Sequence, residues 1–300
     1  KIAIVKLSAL GDIVHAMVVL QFIKKNNPEV IIDWVVDENF CELLNYHPHI
    51  NKVHKVKIKN SKNKTSFFLL LSELKKVRKF GPYDAVIDMQ GLIKSAIISR
   101  FIPSRLTLGF DKTSAREPLA ALFYNKTFKI DYEKNVIERN IKLIDFMFNF
   151  NISDEEIYNK IPFLYSSKQY LNTNNVSISK KNILLIPGAS HKSKRYPASK
   201  LANLSTLIDA NFLVIWGNNE EKLLADKIKK ISPSINVCNK LSINELILLI
   251  SKVDLVIGPD TGPTHISWAL NIPSIVLFGS TPGYRNSYAT KINHIIQSNS

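Results

Sequence analysis

Cysteine occurs only twice in 300 residues, as Cys41 and Cys238, far apart in the chain. That argues against a disulfide-stapled secreted scaffold and fits a reducing cytoplasm. Long apolar runs are missing as well. The longest, such as Phe67–Leu71 and Leu246–Ile250, fall far short of the ~18 residues of a membrane-spanning helix. Residues 1–20 contain no long apolar signal core, and a short strand pattern starts at once. The first strand-end loop lacks the three-glycine spacing of a dinucleotide site, so a nicotinamide enzyme is not indicated. His47, His49 and His54 fit no zinc spacing and have no paired cysteines beside them, so no metal site is expected. Acidic residues are few: 25 against 40 Lys plus Arg, a formal net charge of +15. Such a surplus attracts phosphate or carboxylate, on nucleic acid, an anionic membrane or an acidic glycolipid. A Lys-, Asn- and Ile-rich composition also accounts for part of it without any partner. Residues 52–64 hold six lysines and no acid, which reads as a flexible basic loop. No aromatics interleave with these lysines, so a stacking platform for single strands is not supported.

What remains is an apolar fraction of 45%, enough for a substantial core. Residues 1–6 (KIAIVK), Ile31–Val36, Tyr83–Asp88 and Leu106–Gly109 read as strands. Helical spacing runs from Ile13 to Ile23, over residues 67–80 and from Gln90 to Arg100. This alternation implies a parallel sheet covered by helices. The pattern weakens between Asp154 and Lys180, a Ser- and Asn-rich stretch broken by Pro162, which reads as a crossing into a second domain. From Asn182 the alternation restarts, with strands ILLIP, FLVIWG, INVC, VDLVIG and SIVLFG. Helices are predicted over Ser199–Ala210, Glu220–Lys230 and Gly262–Leu270, and another behind a Ser242/Glu245 capping box. The fold class is therefore α/β: two doubly wound units, 1–165 and 166–300, facing a central cleft. Open parallel sheets bind ligands beyond the carboxyl ends of their strands. The candidate loops are 7–12, 89–91, 187–195, 217–221 and 259–264.

In Gly258–His265 a strand ends, Thr261 can cap the next helix and Pro263 suits its first turn. Helix N-terminal amides and hydroxyls make a phosphate cradle, although a well-capped turn would read the same. His265 is expected near the helix start, facing the cleft, but a lone histidine is as readily structural. Loop 187–195 offers Gly188 for close backbone approach, the Ser190 hydroxyl, and cations that include Lys194 and Arg195. Opposite a helix N-terminus it could clamp a diphosphate; it could equally be a solvated basic loop. Asp12 can cap the helix behind it or serve as a general base.

Taken together, residues 5–16 (VKLSALGDIVHA), 88–96 (DMQGLIKSA), 113–125 (TSAREPLAALFYN) and 259–265 (PDTGPTH) resemble glycosyltransferase family nine, the lipopolysaccharide heptosyltransferases. The likeness runs from residue 1 to about residue 290, and the AREPLA and DMQGLIKSA segments favour the type I over the type II pattern. The resemblance implies the GT-B architecture, two Rossmann-like domains, the first binding the acceptor and the second the nucleotide sugar. It also implies inversion at the anomeric carbon without an Asp-x-Asp-bound metal, and no such pair occurs in the chain. The implied donor is ADP-L-glycero-β-D-manno-heptose, a substrate rather than a cofactor. The implied acceptor is the Kdo of Kdo-lipid A, at the anionic cytoplasmic face of the inner membrane. By the same resemblance Asp12 is the general base and Lys194 neutralises the leaving diphosphate. The donor set is Gly188, Ala189, Ser190, Glu221 (with Glu220 adjacent), Asp260, Thr261, Gly262 and His265. Two family hydroxyls fall on Ala189 and Ser190, so the first is lost. The acceptor set is Lys6, Ser8, Gly11, Gln90 and Arg116, with Lys57, Lys59, Lys62 and Lys64 in place of a family arginine cluster. Lysine supplies charge without the planar fork. Further helices are implied beyond Ser300. Two alternatives stay open: a family-nine enzyme with another acceptor, including a type II-like one, and a basic nucleic-acid-binding protein, which the charge alone would allow.

Overall fold

The computed structural model describes residues 1–57, 67–167 and 175–298. The chain divides into two compact units, Lys1–Lys160 and Ile161–Ser300. The division falls inside the stretch read as a crossing, somewhat ahead of the boundary expected at 165.

The first unit contains strands β1 (Ile2–Val5), β2 (Ile32–Asp37), β3 (Lys52–Val56), β4 (Tyr83–Asp88), β5 (Ser104–Phe110) and β6 (Lys126–Phe128). Its helices are α1 (Leu10–Met17), α2 (Val19–Asn26), α3 (Phe67–Val77), α4 (Ile93–Phe101), α5 (Val136–Phe148) and α6 (Asp154–Tyr158). The sheet order is β3-β2-β1-β4-β5-β6, parallel throughout. All four residues of β1 are buried, as expected of a strand covered on both faces.

The second unit repeats the plan with β7 (Asn182–Leu185), β8 (Asn211–Val214), β9 (Asn236–Val237), β10 (Leu255–Pro259), β11 (Ser274–Phe278) and β12 (Asn293–Gln297). Its helices are α7 (Ala198–Leu207), α8 (Asn219–Ile231), α9 (Ile243–Ile250), α10 (Gly262–Ala269) and α11 (Gly283–Asn286). Its order, β12-β11-β10-β7-β8-β9, is the first unit's order read from the other edge. Each unit has its own apolar core, one around Val5, Val35 and Val86, the other around Leu185, Val214 and Ile257. Strand order reverses between β1 and β4, and again between β7 and β10. Those switch points are where a doubly wound sheet opens a ligand crevice.

Several local expectations need correction. The start of the basic stretch is not a loop but strand β3, paired in parallel with β2. His54 and Val56 point inward while Lys52 and Lys55 stay exposed, a charged edge strand that discourages edge-to-edge pairing. Six lysines concealed the period-2 alternation. The helix expected from Ile13 to Ile23 is two helices, interrupted at Val18. Helix α4 starts at Ile93 rather than Gln90 because Gly91 is left-handed, with φ +68°, a conformation that suits glycine. Edge strands β6 and β12 were not anticipated. The Ser242/Glu245 capping box forms as expected, with Glu245 N–H donating to Ser242 Oγ at 3.3 Å and Ser242 N–H to Glu245 Oε2 at 2.9 Å.

Candidate active site

In the first unit the loops after β1 and β4 are tied together. The Leu7 and Ser8 amides donate to Gln90 Oε1 at 3.0 and 3.2 Å. The buried Lys6 ammonium donates to the Met89 carbonyl at 2.8 Å. Burial pushes its pKa down, Asp12 and Asp88 pull it up, and Arg139 and Arg116 push it down again. Lys6 and Gln90, expected to touch the acceptor, therefore first hold the site's own loops. Asp12 is half-buried in the first turn of α1. It is not the N-cap; it reaches back to accept the Ala9 amide at 3.1 Å. A carboxylate there is favoured by the helix dipole.

Behind these loops lies a buried hub whose only mark in the sequence is a strand end. Asp88 Oδ1 accepts the Gln90 and Gly91 amides at 2.7 and 3.3 Å, and Oδ2 accepts the Tyr124 hydroxyl at 2.8 Å. Burial raises the Asp88 pKa, and these bonds, with one from Ser95, hold it back. Tyr124 reaches Asp88 because its ring lies over Gly109, where any Cβ would overlap it. Nearby, the Glu117 carboxylate accepts the Ile93 amide at 2.6 Å and so caps α4. Arg116, adjacent to Glu117, is exposed; Ser8 and Gly11 are half-buried. Lys57 is also exposed but pairs with Glu38 at 3.0 Å. Lys59, Lys62 and Lys64 lie outside the described residues.

In the second unit five expected donor residues converge. Lys194 Nζ donates to Asp260 Oδ2 at 2.6 Å, and His265 Nε2 lies 3.0 Å from Asp260 Oδ1. Thr261 is the N-cap of α10 by position, but its hydroxyl caps nothing, and Gly262 follows as the first helical residue. The hydroxyl and the first-turn amides of α10 are thus left for a ligand. Thr281, which was not anticipated, completes the cluster by donating to Asp260 Oδ2 at 3.0 Å. Its only sequence signal was a place in the loop after a strand.

The loops after β7 and β8 show a similar division of labour. Glu221 Oε2 accepts the Gly217 amide at 2.7 Å, and its carboxyl lies where a Cβ on Gly188 would be. Glu220 instead grips Arg195 at 2.8 and 3.1 Å. Arg195 in turn donates to the Ala189 carbonyl at 3.2 and 3.1 Å. One of the loop's expected clamp cations is therefore a strut for the loop itself. Ala189 is buried and Ser190 is exposed.

Among the described residues no group of three or more His, Cys, Asp or Glu side chains could hold a metal ion. His54 is engaged inside the first unit, 2.9 Å from the Tyr83 hydroxyl and 3.4 Å from Asp33. No helix of the described residues is long and apolar enough to cross a membrane.

Comparison with known proteins bears on these sites. A sequence profile of glycosyltransferase family 9 (heptosyltransferase) matches residues 72–300. The chain is 43% identical to lipopolysaccharide heptosyltransferase 1 of Campylobacter coli, over 99% of its own length and 89% of that protein's. Identity to lipopolysaccharide heptosyltransferase 1 of Escherichia coli strain K12 is 28%, over 96% and 91% of the two chains. The E. coli heptosyltransferase WaaC with ADP-2-deoxy-2-fluoro heptose superposes with a TM-score of 0.77 at 26% identity, covering 98% of this chain and 92% of that one. E. coli heptosyltransferase II superposes at 0.70 with 20% identity, covering 99% and 90%, a likeness of fold.

Proposed function

The chain belongs to glycosyltransferase family 9, the heptosyltransferases, and from that premise we propose that it moves a heptose from ADP-L-glycero-β-D-manno-heptose to the Kdo of Kdo-lipid A in lipopolysaccharide inner-core synthesis. The observation that carries the reading is the Lys194–Asp260–His265 cluster at the open start of α10, where β10 ends. The reaction is a direct displacement. Asp12 takes the proton from an acceptor hydroxyl, and the oxygen attacks the anomeric carbon from the face opposite the diphosphate. The bond to the leaving phosphate oxygen breaks, and the configuration inverts. An ammonium has three donors, so Lys194 can keep Asp260 and still donate to phosphate oxygens. With the amides near Thr261 and Gly262 it stabilises the departing ADP; preorganised donors of this kind contribute ~2.7–4 kcal/mol each. Glu221 serves the ribose, and Ser190 gives the phosphate contact that Ala189 cannot. Arg116 and the lysines at 57, 59, 62 and 64 serve the acidic acceptor. The positive charge holds the protein to the anionic cytoplasmic face of the inner membrane, where each cation near the surface is worth ~1 kcal/mol.

No metal ion is required, so the decisive assay is turnover of ADP-heptose with Kdo-lipid A in the presence of chelator. No product there, but product from an already heptosylated core, would reassign the acceptor. In the same assay Asp12→Asn is expected to lower kcat by ~10²–10⁴-fold with an unchanged circular dichroism spectrum; near-full activity would remove Asp12 from its role.

A further inference from the structure

Residues Pro118–Phe123 form a short 3-10 helix in the first unit. Side chains three residues apart eclipse in such a helix, so Leu119 and Leu122 share one side. Ala120 is fully buried, which turns the other side toward the unit, while Leu119 is 60% and Leu122 78% exposed. Single exposed leucines are ordinary; two in one ridge on a rigid turn are not. The turn is rigid because it is fastened at both ends. The Glu117 amide donates to the Gly91 carbonyl at 3.0 Å and its carboxylate takes the Ile93 amide at 2.6 Å. On the far side Tyr124 is bonded to Asp88.

Cations bracket the ridge along the chain. Lys112, Arg116, Lys126 and Lys129 are all exposed. The one acid between positions 112 and 129 is Glu117, already committed to capping α4. Among the described residues Lys112, Arg116 and Lys129 form no ion pair. An exposed apolar ridge in a segment of exposed cations matches the chemistry of the bilayer interface, where leucines enter the acyl boundary and cations meet headgroup phosphates. An acidic protein surface would satisfy the cations and leave the leucines in water.

We propose that Leu119 and Leu122 insert into an anionic bilayer, with Lys112, Lys126 and Lys129 against its headgroups. The ridge is bonded to the Gln90–Gly91 loop, so docking would set the height of the first unit's site above the membrane. That consequence rests on the lipid-linked acceptor proposed above; the docking itself does not.

The test compares the full chain with L119S/L122S by cosedimentation with phosphatidylethanolamine–phosphatidylglycerol vesicles and with phosphatidylcholine vesicles. Wild type is expected to favour the anionic vesicles, and the variant to bind them at least about tenfold less, the minimum for losing one buried leucine. K126E/K129E is expected to weaken binding to the anionic vesicles only. Matching melting temperatures show that folding is intact. In turnover assays the KM of L119S/L122S should rise for acceptor embedded in vesicles and stay unchanged for a soluble, deacylated Kdo acceptor. Equal vesicle binding by variant and wild type, or no binding by wild type, would overturn the proposal. So would a loss of dimers on size exclusion as the variant's only defect, which would assign the ridge to a second copy of the chain. A wild type that docks but does not turn over ADP-heptose would overturn the proposed reaction and leave the docking intact.

Discussion

Asp260 shows how one residue can organise a site without touching the reacting carbon. Burial raises its affinity for a proton, but the hydrogen bonds and charges of His265 and Lys194 outweigh burial and hold its carboxyl well below the usual carboxylate range. A depressed folded-state pKa adds stability above the unfolded value of 3.8, and that stability is lost as pH falls through the folded value. Asp260→Asn is therefore expected to cost about 1–3 kcal/mol at pH 7 and to flatten the loss of stability that wild type shows below pH ~4. Its KM for the donor should rise, because Lys194 and His265 lose their common anchor. Denaturant melts from pH 7 down to pH 3, with donor kinetics, check both; superimposable acid limbs would refute the electrostatic account. Asp88 is the opposite case, a carboxylate so buried that its proton affinity is raised, whose service is to fix the loop after β4 and tie it to Tyr124.

Among the elements, the site loops are short turns at strand ends whose backbone must pass close to side chains. Gly188 is the clearest instance. A Cβ there would occupy the space of the Glu221 carboxyl, which lies at the end of a flexible side chain and can move at little cost. Gly188→Ala should therefore leave the melting temperature nearly unchanged while pushing Glu221 off the Gly217 amide and raising the KM for ADP-heptose. Calorimetry paired with donor kinetics checks this; a lowered melting temperature at unchanged KM would mean that Gly188 serves packing alone. These loops were legible as candidates because strand-to-helix alternation marks every strand end. Their internal wiring was not. Arg195 and Lys194 read alike as loop cations, yet one braces Ala189 and Glu220 while the other meets Asp260. Strand β3 was hidden because its two lysines and the basic run after it mask a short alternation in which only His54 and Val56 are buried, and β6 because three residues show no period.

At the level of the whole molecule, two units carry the same parallel strand order, and the loops at their switch points carry Asp12 and Gln90 in the first and Lys194 and Asp260 in the second. If the second unit is the donor half, ADP at a hundred times its Kd should stabilise that unit by about 2.7 kcal/mol. Amide exchange by mass spectrometry should then slow in loops 187–195 and 259–265 and stay unchanged in β1 and β4; protection confined to the first unit would invert the assignment. The sequence by itself determined the two-unit α/β plan, its strand-end loops and most residue types of the turn at 259–265, because hydrophobic periodicity and turn chemistry are local. Only the tertiary structure decided which polar side chains act outward and which brace the fold. Lys6 with Met89, Gln90 with Leu7 and Ser8, Arg195 with Glu220 and Asp88 with Tyr124 owe their roles to partners many residues away, and no local pattern records who those partners are.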